Sequence, residues 1–193
     1  MTDTHLTAPT RYVEADGNDF AYRRWGNSTA GQPPLFFLQH FRGGIDHWDP
    51  LMTDGLAAGR EVILYNGRGI ASSSGKPRTR IEHMADDAAA VIRVLGLHKV
   101  DVVGFSLGGF QAQDLTRRHP DLVRKLMLLG TGPQVGIRTR TLACSRLRHV
   151  RSRLWTTSCS CSLADRRPRR KPGATSGTAV TNGWIRILRV PPR

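Results

Sequence analysis

Val100-Asp-Val-Val-Gly104-Phe105-Ser106-Leu107-Gly108-Gly109 is the stretch that decides the fold. Its first four residues, three of them valine, read as a strand of the kind found in a parallel sheet. Gly104 to Gly108 then has the form G-x-S-x-G, and Gly109–His119 reads as a helix closed by Pro120. A serine on such a strand-to-helix turn must adopt a strained backbone, and the flanking glycines let neighbouring segments approach closely. The Ser106 hydroxyl is therefore expected at the carboxyl end of a sheet, where open α/β sheets bind ligands. The Leu107 amide, at the start of the helix, would face negative charge developing there. Gly104 and Gly108 are the supports of this turn.

Working outward, the same alternation recurs. Tyr12–Ala15 and Phe20–Trp25 read as a hairpin around Asp16-Gly17-Asn18, forming an antiparallel edge. Pro34–Leu38, Glu61–Tyr65 and Val123–Leu129 are further buried-type strands. Ile45–Gly59 is helix-like, with Pro50 in a first turn or breaking the segment. Ile81–Leu95 carries Met84, Ala88, Val91, Ile92 and Leu95 at helical spacing, with Gly96 as the stop. Strands alternating with helices imply βαβ crossovers and a largely parallel sheet. The fold class is α/β.

Leu38-Gln-His-Phe-Arg-Gly-Gly-Ile-Asp-His-Trp-Asp-Pro50 follows the strand ending at Leu38. With this segment, the Arg-Gly loop Asn66–Gly75 and Gly104–Gly108, residues 12–133 resemble the α/β-hydrolase family. The likeness is to small soluble members that are esterase-like, epoxide-hydrolase-like or cofactor-free haloperoxidase-like. His40-Phe41 stands where the family usually has His-Gly, and Asn66 where Asp is commoner. The resemblance implies a mostly parallel sheet with flanking helices and Ser106 as nucleophile. It further implies an oxyanion hole from the amides of Phe41 and Leu107, a small-molecule substrate, and no cofactor or metal. His40 reads as a loop organiser rather than a base. Asp86 and Asp87 read as a solvated surface, and Arg117, Arg118 and His119 as cations complementing a helix C-terminus. Gly67–Gly75 lacks the ending of a P-loop, so nucleotide binding is set aside.

A serine hydroxyl needs a base, and the imidazole needs a carboxylate to orient it. In this fold the acid and then the His follow the serine. After Ser106 the histidines are His119 and His149, and the acids are Asp114, Asp121 and Asp165. His119, Asp114 and Asp121 belong to the helix after the serine and its exit. Asp165 and His149 occur in the reverse order, so acid and His remain unknown and activity is expected to be weak or absent. About six of the family's usual eight strands are legible, which makes the pattern a truncated one.

Composition marks where the pattern stops. The chain has 193 residues and a formal net charge of +14. Residues 1–137 carry 15 Lys and Arg against 14 acids, whereas 138–193 carry 14 against Asp165 alone. All three cysteines, Cys144, Cys159 and Cys161, lie in the second part, and 13 of its 14 basic residues are Arg. Residues 1–137 are thus expected to form an incomplete hydrolase-like core, and 138–193 an Arg-rich, irregular tail. The coincident switches suggest out-of-frame translation of a once complete gene. If neither other reading frame beyond residue 133 encodes strands followed by an acid and a His, that origin is wrong. Trp184–Val190 is the one strand-like stretch of the tail, and it is expected to cover the edge left by Val123–Leu129.

Two other readings compete. Arg166–Lys171 would bind polyanions in a salt-dependent way, but no recognition module surrounds it, so no specific nucleic-acid partner is expected. A non-catalytic fragment that binds a ligand or partner is the other. No basic start followed by an apolar run opens the chain, and no apolar stretch approaches the roughly 18 residues of a spanning helix. The expectation is a cytoplasmic protein without membrane partners; the sequence does not give its oligomeric state.

Overall fold

The computed structural model describes residues 3–27, 32–133 and 185–190. In chain order the elements are β1 (Arg11–Ala15), β2 (Asn18–Trp25), β3 (Leu35–Leu38), a 3-10 turn (Ile45–His47), α1 (Pro50–Ala57), β4 (Val62–Tyr65), α2 (Ile81–Val94), β5 (Val100–Phe105), α3 (Leu107–Arg118), β6 (Val123–Leu129) and β7 (Ile185–Arg189). They build one sheet in the order β1-β2-β4-β3-β5-β6-β7. Strands β4, β3, β5 and β6 are mutually parallel; β1, β2 and β7 pair antiparallel.

Local chemistry sets the boundaries. Asp16 and Gly17 both have positive φ (48° and 68°), the two-residue turn that matches the twist of a hairpin. The helix expected over Ile45–Gly59 is split at Pro50. Proline disfavours helical backbone in the residue before it, and Asp49 is accordingly extended (φ −66°, ψ 118°). Asp49 instead caps α1 by accepting the Leu51 N–H at 2.9 Å.

Alternation along the central strands feeds two cores. Phe36 and Leu38 face α2 and α3 with Ile63, Tyr65, Val102, Ala88, Ile92 and Leu115. Leu35 and Phe37 face the α1 side with Val62, Leu64, Trp48 and Ala57. Phe20, Phe36, Phe37, Leu38, Ile63 and Leu64 are fully buried, which accounts for the unbroken apolar runs of β3 and β4.

Six strands between Arg11 and Leu129 stand as the sequence predicts. The seventh, β7, pairs with β6 in the register Leu126↔Leu188 and Met127↔Ile187, and the Val190 N–H donates to the Arg124 carbonyl at 3.0 Å. The edge of β6 is covered by the strand-like stretch expected to cover it. Cys144, His149, Cys159, Cys161, Asp165 and Arg166–Lys171 lie outside the described residues. No helix among the described residues is long and apolar enough to cross a membrane.

One ion cluster ties strands to loops. Asp101 on β5 is buried and accepts from Arg124 (2.9 and 2.7 Å) and Arg60 (2.8 Å). Burial pushes its carboxyl up, but the hydrogen bonds from Arg124 and Arg60 outweigh it and hold it below the ordinary carboxylate range.

Candidate active site

The chain runs from β3 outward to β4 and returns to β5 on the other side of β3, so the strand order reverses between β3 and β5. Open α/β sheets form their ligand crevice at such a switch point. Leu38, the last residue of β3, pairs with Gly104. The loop starting at Gln39 and the turn at Ser106 are thereby brought side by side.

Ser106 sits between β5 and α3 with φ 52° and ψ −114°. A non-glycine residue there costs on the order of 1–3 kcal/mol and persists only where the surroundings enforce it. Two neighbours do so: the Ser106 N–H donates to the Leu129 carbonyl at 3.0 Å, and its own carbonyl accepts from Gly109 N–H at 3.0 Å. The glycines make room. A Cβ on Gly104 would lie 2.6 Å from the Gly108 carbonyl oxygen and 2.8 Å from Ala112 Cβ. One on Gly108 would overlap the Leu38 carbonyl and approach the Gln39 oxygen to 2.7 Å. The Ser106 side chain does not cap the helix it precedes.

Phe41 and Leu107 both line one cavity of about 520 Å³, bounded by the β3–α1 loop, the β4–α2 loop and the starts of α2 and α3. Ser106 is not among the residues lining it. Leu107 opens α3, so its amide is one of those a helix leaves unpaired. The Phe41 amide has no acceptor among the described residues. His40 is half-buried and donates through Nδ1 to the Phe41 carbonyl at 2.9 Å. Its ring meets those of His47 and Phe105 edge-on at 5.5 and 5.7 Å. No described histidine hydrogen-bonds Ser106, and among the described residues no three His, Cys, Asp or Glu gather to hold a metal.

Asn66 joins the two loops. It is buried; its Oδ1 accepts the Ile45 N–H at 2.8 Å and its Nδ2 donates to Ser72 Oγ at 3.1 Å. Ser73 Oγ donates to the Asn66 carbonyl and accepts the Ala21 N–H, fastening the Arg-Gly loop to β2. Asn66→Leu should cost about 1–3 kcal/mol in urea unfolding, because the Ile45 amide loses its acceptor. Asn66→Asp keeps that acceptor and lets the Ser72 hydroxyl donate, so it should cost less.

The sequence reading of Asp87 as solvated surface is corrected. Asp87 is buried and accepts from Arg68 (3.0 and 2.6 Å) and from Arg78 (3.0 and 3.1 Å), locking the Arg-Gly loop onto α2 beside the cavity. Its spacing from Met84 and Val91 puts it on the apolar face of α2, and that spacing was the signal for it. Burial raises the Asp87 carboxyl, but hydrogen bonds from Arg68 and Arg78 overcome this and hold it low. Asp86, on the other face, pairs with Arg118 and His119 instead of standing free. Those two side chains therefore do more than complement the helix dipole. Asp114, discounted as a catalytic acid, is buried and paired with Arg117 at 2.8 Å.

The family model for the alpha/beta hydrolase fold matches residues 33–143. The chain belongs to the α/β-hydrolase family. Among its relatives, a bifunctional esterase/perhydrolase of Acinetobacter calcoaceticus is 33% identical over 128 residues, covering 65% of this chain and 46% of that protein. A non-heme haloperoxidase of Rhodococcus erythropolis is 31% identical over 129 residues, covering 66% and 46%. An alpha/beta hydrolase fold protein from Chitinophaga pinensis is 42% identical, with a TM-score of 0.65, over 68% of this chain and 47% of that one. This α/β-hydrolase chain thus spans about half the length of the relatives it matches.

Proposed function

We propose that Ser106 is the nucleophile of a serine-dependent hydrolase site acting on small esters or related acyl compounds. The observation that carries this is the enforced backbone of Ser106 at the β5–α3 turn, at the point where the strand order reverses. Nothing in the packing of a plain connection calls for a serine held at φ 52° between two glycines without room for a Cβ. In the proposed reaction Ser106 Oγ attacks the substrate carbonyl carbon. The carbonyl π electrons move to oxygen, and the resulting oxyanion is received by the amides of Phe41 and Leu107. Collapse expels the alcohol, and water then releases the acid from the acyl-serine. His40, Gly104 and Gly108 hold the geometry. The hydroxyl proton is lost to solvent and regained from it by the departing alkoxide; no side chain among the described residues stands to carry it, so turnover is expected to be slow.

On this reading residues 1–137 are the hydrolase core, residues 138–193 a basic tail without a catalytic role, and the protein a cytoplasmic one whose partner is a small molecule. Hydrolysis of p-nitrophenyl acetate by the full chain is the test. The Ser106→Ala rate should fall at least about tenfold, even from a reduced starting value. An unchanged rate in a folded variant overturns the assignment.

A further inference from the structure

Two donors line the cavity beside the β5–α3 turn without an acceptor among the described residues. Gln111 Nε2 lies 2.8 Å from the Met84 carbonyl and 2.8 Å from Tyr65 Oη. A carbonyl can only accept, so the Gln111 amide is fixed with its nitrogen toward both partners. Tyr65 Oη therefore accepts, and its own proton has no acceptor among the described residues. Tyr65 is buried at the end of β4, and it lines the cavity. Burial pushes its phenol well above the ordinary value, so it stays a neutral donor at any working pH.

Arg42 supplies the second donor. It lines the same cavity, is exposed, and has no ion-pair partner among the described residues, whereas Arg68 and Arg78 are both held by Asp87. Its backbone is left-handed (φ 59°), a conformation uncommon for a long side chain. The Asp87 oxygens, the only carboxylate in the lining among the described residues, are taken by four guanidinium hydrogen bonds. The lining is thus net positive, with its one acid already satisfied.

We propose that this cavity binds a small molecule carrying a carboxylate, with Arg42 facing the charge and the Tyr65 hydroxyl donating to a ligand oxygen. This names a substrate class for the Ser106 site and rests on that reading: the fitting compound is a half-ester, its ester carbonyl near the free amides of Phe41 and Leu107. A neutral diester of the same size lacks the charge that Arg42 answers. Discrimination by one exposed cation is modest and weakens with salt.

The test is isothermal titration of the full chain with monomethyl succinate and with dimethyl succinate. The half-ester should bind about fivefold tighter at low salt. Arg42→Gln should abolish that preference and Arg42→Lys should retain it. Tyr65→Phe should weaken both compounds several-fold without removing the preference. Equal or tighter binding of the diester overturns the proposal, as does no measurable binding of the half-ester, or a preference surviving in Arg42→Gln. Covalent labelling of Ser106 reads the other reading separately. An unlabelled Ser106 with the Arg42-dependent preference intact sinks the serine assignment and leaves the carboxylate site. A labelled Ser106 with no preference does the reverse.

Discussion

Gly108→Ala should unfold the β5–α3 turn and destabilise the protein by about 3 kcal/mol or more. The added methyl would overlap the carbonyl group of Leu38, which is backbone at the end of the central strand β3. No rotamer change relieves such a clash. Either α3 withdraws from β3 or the sheet edge shifts, and both displace the Leu107 amide from beside the Gln39–Gly44 loop. Urea unfolding of the variant should show a markedly lower midpoint. Gly55→Ala is the control: it lies on the exposed face of α1 with nothing within 4 Å of the new methyl. That change should be neutral or stabilising by up to about 1 kcal/mol. Equal effects at the two glycines would mean that the tight approach of α3 to β3 is not what fixes the turn.

Asp87→Asn should cost about 3 kcal/mol, because it leaves two guanidinium groups facing an amide with a single acceptor oxygen. Removing one partner from a buried charge cluster is costly even where the intact cluster adds little net stability. Arg68 suffers most, since it is nearly as buried as Asp87, whereas Arg78 reaches solvent. The same residue sets a pH dependence. The folded carboxyls of Asp87 and Asp101 are both held low by their arginines. A depressed folded value contributes stability that is present above the unfolded pKa of about 3.9 and is lost as pH falls through the folded value. The stability supplied by these two carboxyls should therefore be level through the neutral range and be lost below about pH 4. Asp87→Asn should start lower and decline less steeply. A variant whose acid limb parallels the wild type would show that Asp87 is not a source of the slope.

How far the sequence could be read follows from how local each signal is. The strands β3 and β4 announce themselves as short apolar runs because both faces of each are buried. The β5–α3 turn is legible because five adjacent residues specify it. The hairpin and the stop of α2 rest on single turns at Asp16-Gly17 and Gly96, and these too are local. The Asp87 cluster is different in kind: its arginines come from a loop 9 and 19 residues away. The fate of a charge on an apolar helix face depends on what folds over it. Tyr65 and Gln111 carry no local signal for the same reason, since their pairing joins β4 to α3 across 46 residues. In the sequence Asn66 stands out only as a departure from the family's Asp. Its role in joining the two loops appears once Ile45 and Ser72 stand on either side of it.

The proposed hydrolase chemistry requires the strained serine between β5 and α3 to be nucleophilic. The most direct measurement is exposure of the full chain to a fluorophosphonate probe, followed by peptide mass mapping. Slow, single-site modification is expected at Ser106, absent in Ser106→Ala and after denaturation. A folded chain left unmodified at Ser106, or modified equally at other serines, would contradict the proposed chemistry.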